Sequence, residues 1–129
     1  MGYGKPSAAQ AELAKSVRNY LLAHIRQHIT TEELAEHFGV SATHIKNSFA
    51  NTFGISVQAY ARQQKMDAAA ELLQSTRRTV LDIAGQFGYA NGSKFAAAFR
   101  RVKGMSPREY RRTPAEKEKI AALLSKRSG

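Results

Sequence analysis

Two stretches decide the fold of this chain: "TTEELAEHFGVSATHIKNSFANTFGISVQAYAR", residues 30–62, and "TVLDIAGQFGYANGSKFAAAFRRVKGMSPREYRR", residues 79–112. Thr30, Leu34, Ala35, Phe38 and Gly39 match Thr79, Ile83, Ala84, Phe87 and Gly88 at an offset of 49. Ile45, Phe49, Gly54, Ser56, Tyr60 and Arg62 match Phe95, Phe99, Gly104, Ser106, Tyr110 and Arg112 at 50. One residue added near Asn91-Gly92 accounts for the change. Self-similarity in this order is the mark of one supersecondary unit written twice.

Each copy reads as a helix-turn-helix. The first helix ends in an aromatic residue and a glycine, Phe38-Gly39 or Phe87-Gly88. Glycine enters positive φ at little cost, as a sharp helix exit requires. Ala35 and Ala84 are small where the two helices cross. Ser41 or Asn91 then caps a second helix. Apolar spacing predicts that this helix buries Ile45, Phe49 and Phe53 in one copy, and Phe95, Phe99 and Val102 in the other. A second helix set at a steep angle can enter the DNA major groove with its N-terminal half. The same shape also occurs in helical hairpins that bind protein. Gly88 to Lys94 resembles a phosphate-binding loop only superficially, because the Walker pattern requires different spacing and places Lys before Ser/Thr.

The flanking segments continue the helical pattern. Leu13, Val17, Leu21 and Ile25 recur at four-residue steps and predict an amphipathic helix from Ser7 to about His28. Residues 56–75 predict a linker helix, about 27 Å long at roughly 1.5 Å per residue. A rod of that order suits two recognition helices about one DNA turn apart, roughly 34 Å. Capping patterns stand at Thr30-x-x-Glu33, Thr79-x-x-Asp82, Ser106-Pro-x-Glu109 and Thr113-Pro-x-Glu116. Prolines occur only at 6, 107 and 114, so the long middle is uninterrupted. The expected fold is all-α, about seven helices in a single domain spanning 1–129. Within it lie helix-turn-helix subdomains at 7–55 and 76–112, the linker at 56–75 and a tail helix at 113–129. Ile120, Leu123 and Leu124 give the tail a narrow apolar stripe.

Composition narrows the partners. The chain has 129 residues, with 20 Lys plus Arg against 10 Asp plus Glu, for a formal charge of +10. In so short a chain this excess points to a polyanion. There are no cysteines, which removes disulfides, thiolate metal sites and cysteine nucleophiles. No apolar run approaches a membrane span, so no membrane partner is expected. The segment "MGYGKPSAAQAELAK" lacks the apolar centre of a signal peptide, and a cytoplasmic location is expected.

The sequence resembles the DNA-binding domain of the AraC/XylS family of bacterial transcription regulators. In the first copy and linker the resemblance is carried by Leu34-Ala35, Gly39-Val-Ser41, Phe49, Gly54, Tyr60, Arg62, Lys65-Met66, Ala69 and Leu72-Leu73. The second carries it more strongly, in Ile83-Ala84, Phe87-Gly88-Tyr89, Ser93, Phe95, Phe99-Arg100, Gly104, Ser106-Pro107 and Tyr110-Arg111. It covers about residues 10 to 112. It implies seven helices in two helix-turn-helix units, binding to adjacent major grooves of double-stranded DNA, and regulation of transcription, usually activation, through RNA polymerase. Most members carry a separate effector-binding or dimerisation domain, which is not expected within these 129 residues; the chain then resembles either the short stand-alone members or a fragment of a larger regulator.

Candidate base readers lie opposite the apolar face of the first recognition helix: Thr43, Lys46 and Asn47. By resemblance they also match the family's base-contacting positions. Lysine donates to guanine, and asparagine pairs with adenine. Adding 50 gives Ser93, Ala96 and Ala97 in the second copy, flanked by Asn91 and Lys94. These short side chains make few hydrogen bonds, so the first unit is expected to supply most of the sequence readout. Phosphate contacts are assigned to Arg62, Lys65, Arg100, Arg101, Lys103, Arg111 and Arg112, some of them paired with Glu71 or Glu109. Six such contacts give a log–log salt slope of about −5.

No catalytic group and no cofactor are expected. Asp67, Glu71 and Asp82 are spaced as solvated or pairing residues. His24 and His28 stand one helical turn apart, but the sequence signals no third metal ligand. A second class of function stays open at this point: a basic helical adaptor that binds protein or nucleic acid without base selectivity.

Overall fold

The computed structural model describes residues 4–113. They form seven helices: α1 Ala8–Ala23, α2 Thr31–Phe38, α3 Ala42–Phe53, α4 Val57–Ser75, α5 Val80–Gln86, α6 Gly92–Lys103 and α7 Pro107–Arg112. Two compact units divide between Lys65 and Met66, inside α4. The tail helix expected at 113–129 lies outside the described residues beyond Thr113, as does the completion of the Thr113–Glu116 capping box.

The first unit buries Val17 and Leu21 of α1, Leu34 and Ala35 of α2, Ile45 and Phe49 of α3, and Val57 of α4. Its most extensive helix pairing is α1 with α3. Helix α1 opens with a capping box: Ser7 Oγ accepts from the Gln10 N–H at 3.1 Å, and the Gln10 side chain accepts from the Ser7 N–H at 3.2 Å. It ends at Ala23 rather than near His28. There the His24 N–H donates back to Tyr20 and Leu21, and the Tyr20 ring lies 4.4 Å from the His24 ring and 4.3 Å from that of His37. Ile25 therefore falls outside the helix and is only half-buried, while Ile29, carried inward by the turn, enters the core. Phe53 is half-buried too, at the last turn of α3. It packs on Phe49 at 4.8 Å between centroids, with the Arg18 guanidinium 5.2 Å from its ring centre.

The second unit buries Met66, Ala69 and Leu73 of α4, Ile83 and Ala84 of α5, Phe87, and Phe95 and Phe99 of α6. Val102 is half-buried against this core, not within it. Helix α7 begins with a complete box between Ser106 and Glu109 and with Pro107 at its first position. At Thr30 and Thr79 the hydroxyl half of the box is present, accepting from the N–H of Glu33 at 3.1 Å and of Asp82 at 3.0 Å. The end of α7 is held to α4 by Gln74, whose amide donates to the Thr113 carbonyl at 3.2 Å and hydroxyl at 3.1 Å.

The two turns are built alike. Gly39 and Gly88 sit at φ 68° and 81°. In each turn the next N–H, from Val40 or Tyr89, reaches back to the carbonyl of Ala35 or Ala84 at 3.0 Å. This bond satisfies a carbonyl that the helix end leaves free.

Candidate nucleic-acid interface

In each unit one helix has a buried face and an open N-terminal half. On α3, Ile45, Ser48 and Phe49 point inward, and Thr43, Lys46 and Asn47 are exposed. Ser41 Oγ accepts from the His44 N–H at 3.0 Å, so the first turn stays closed at the exposed end. On α6, Phe95 and Phe99 point inward, Ser93, Lys94 and Ala97 are exposed, and Ala96 is half-buried. Asn91 is exposed, but its side-chain oxygen accepts from the Lys94 N–H at 2.9 Å. Its first task is therefore the helix cap. Unpaired N–H groups and the helix dipole make both N-terminal ends locally positive.

The cations separate into free and engaged groups. Arg62, Arg100, Arg101 and Arg112 are exposed. Lys103 pairs with Asp67 rather than with Glu71 or Glu109. Lys65, of the expected phosphate set, is 9% exposed, and its ammonium donates to the Gln27 carbonyl at 3.1 Å. Burial also pushes its pKa below the ordinary lysine value. Arg111 is likewise occupied, donating through Nε to the Leu73 carbonyl at 2.9 Å and through Nη2 to the Arg78 carbonyl. In both cases a long cationic side chain donates to main-chain carbonyls of a distant segment. Sequence spacing places such a residue near the surface but does not show which acceptors lie next to it.

Arg108 is exposed and borders two concavities of the second unit, yet nothing in the motif had singled it out. Its position beside Pro107, at the start of a helix, was the available signal. Among the described residues, no three His, Asp or Glu side chains gather as a metal site, and no helix is long and apolar enough to cross a membrane.

A sequence model of the family described as "Helix-turn-helix domain" matches residues 34–113, which takes in both turns and both exposed helices. The chain belongs to the AraC/XylS family of helix-turn-helix domains. Among solved structures, it is similar to the C-terminal domain of AraT, a response regulator from Geobacillus stearothermophilus, with TM-score 0.75, 33% identity, and coverage of 81% of this chain and 88% of that one. It is also similar to the DNA-binding domain of AdpA, a global transcriptional factor in complex with a target DNA, with TM-score 0.70, 26% identity, and coverage of 76% and 88%. Among curated relatives, the right origin-binding protein of Escherichia coli K12 is 30% identical over 105 residues, 81% of this chain. This AraC/XylS chain spans 36% of that protein's length.

Proposed function

We propose that the chain binds double-stranded DNA and regulates transcription, reading two adjacent major-groove segments with α3 and α6. One observation carries this reading: each helix-turn-helix buries one face of its second helix and leaves the N-terminal half of the other face open. On α3 that open half offers Thr43, Lys46 and Asn47, side chains able to donate to or pair with base edges. The formal charge of +10 supplies the sequence-independent attraction to phosphate. The AdpA structure shows that a related domain engages target DNA.

Within this reading Lys46 and Asn47 carry most of the hydrogen-bonded readout. Ser93 and the methyl groups of Ala96 and Ala97 read shape and thymine methyls. Arg62, Arg100, Arg101 and Arg112 contact phosphates. Activation through RNA polymerase is the outcome that family membership supports. The chemistry acts on bacterial nucleoid DNA in the cytoplasm. The test is selection of bound sequences from a random duplex library, followed by scrambling each half-site in turn. The expected result is a preferred site with two unlike halves and a larger loss for the half read by α3. A chain that cannot hold any duplex against excess random DNA is the basic adaptor instead.

A further inference from the structure

The second unit has a trough beside α6. Two concavities of about 380 and 420 Å³ share Val80, Leu81 and Arg108. One reaches Ser93 and Ala96 on the recognition helix, and the other reaches Arg111 and Arg112 on α7. Leu81 is 65% exposed, which is unusual for a large aliphatic side chain beside three arginines. The matching positions in the first unit carry different chemistry. Glu32 stands for Leu81 and Gln58 for Arg108, and the Gln58 amide is committed to the Thr31 hydroxyl at 3.0 Å. The charge follows the same division. Residues 66–113 carry nine Lys and Arg against four Asp and Glu, and residues 4–65 carry seven against four.

We propose that this trough seats the sugar–phosphate backbone of one DNA strand at the edge of the groove that α6 enters. Arg108 and Arg112 are four residues apart on α7, hence neighbours on one face, about 6 Å apart at Cβ. They meet neighbouring phosphates. Arg111, held by carbonyls of Leu73 and Arg78, lines the floor and keeps α7 in place. Leu81 covers the apolar edge of a deoxyribose. The trough runs into Ser93 and Ala96, so it continues the base-reading surface rather than forming a separate site. The two copies thus divide the work: the first discriminates bases and the second grips the strand. The inference rests on the chain's being a duplex-DNA binder.

The test uses the full chain and duplexes that each carry a single neutral methylphosphonate linkage at successive positions of the half-site read by α6. For wild-type protein, one or two positions weaken binding roughly three- to tenfold. Arg108→Ala weakens binding to the unmodified duplex by the same factor and no longer responds to the linkage it faced. Its salt slope falls by about one, equally for specific and random sequences. Arg108→Lys keeps the slope, and Leu81→Ser lowers affinity without changing it. Arg108 and Leu81 are exposed, so the variants melt as wild type does. Wild-type affinity and slope in Arg108→Ala overturn the proposal and turn the trough over to a protein partner. Failure of the wild-type chain to bind any duplex overturns the DNA reading itself.

Discussion

The Lys65 ammonium and the Gln27 carbonyl are joined by a 3.1 Å hydrogen bond, with Lys65 only 9% exposed. The bond ties the middle of α4 to the turn that follows α1, within the first unit. A residue that looks like a surface cation in the sequence is part of the framework.

Truncation at this position is expected to act on stability and not on the electrostatics of binding. Lys65→Ala should cost about 1–2 kcal/mol, from the lost bond and the lost packing of the lysine stem. The salt slope of DNA binding should stay as in wild type. Alkaline titration adds a signature. Burial lowers the folded-state pKa, so between that value and about 10.5 the unfolded chain binds more protons than the folded one. Stability from this group therefore rises with pH across that window. Thermal melting from pH 8 to 11 should show wild type gaining on Lys65→Met.

Arg111 and Arg112 are neighbours with different duties. Arg111→Ala removes donors from the carbonyls of Leu73 and Arg78 and should cost about 1–2 kcal/mol, read by denaturant unfolding. Arg112 is exposed, and Arg112→Ala should leave unfolding unchanged while lowering the salt slope by about one.

Gly54 and Gly104 end the two recognition helices at φ 71° and 78°, each facing open space where a Cβ would be added. Any penalty for alanine there comes from the backbone alone. Gly54→Ala and Gly104→Ala should each cost about 1–2 kcal/mol. Gly85→Ala, within α5 at ordinary φ, should stabilise by a few tenths up to about 1 kcal/mol. Opposite signs in thermal melts would separate the two classes.

The Ser48 hydroxyl is buried on the inner face of α3 without a hydrogen-bond partner. Burying a polar group unpaired is unfavourable, and removing it leaves a methyl group in an apolar setting. Ser48→Ala should raise stability by up to about 1 kcal/mol, with DNA affinity unchanged in the same preparation.

Base readout should be unequal between copies. Lys46→Ala and Asn47→Ala are each expected to relax preference at one or two base pairs, by about 1–3 kcal/mol of discrimination. Ser93→Ala should change the selected sequence much less. Competition binding against single-substituted duplexes reports both.

The bihelical units were legible in the sequence because their determinants are local. The glycine at each turn, the hydroxyl or amide cap and the inward aromatics recur at fixed steps, and each acts within a few residues of itself. The end of α1 was not legible in the same way. Ile25 continues the four-residue pattern, yet the helix ends at Ala23, where Tyr20 packs on both His24 and the distant His37, a contact between segments. The open face of α3 followed from its buried one. The engaged states of Lys65, Lys103 and Arg111 did not, since their partners Gln27, Asp67 and Leu73 lie more than thirty positions away. Arg108 and Leu81 were not legible because neither belongs to the repeated pattern. At the equivalent positions of the first copy stand Gln58 and Glu32.

Helix α4 places Val57, Tyr60 and Ala61 against the first core and Met66, Ala69 and Leu73 against the second. Neither copy is therefore a free-standing cassette. A graft that moves one repeat into another protein exposes an apolar seam unless it carries its own share of this helix, residues 57–65 for the first core and 66–75 for the second.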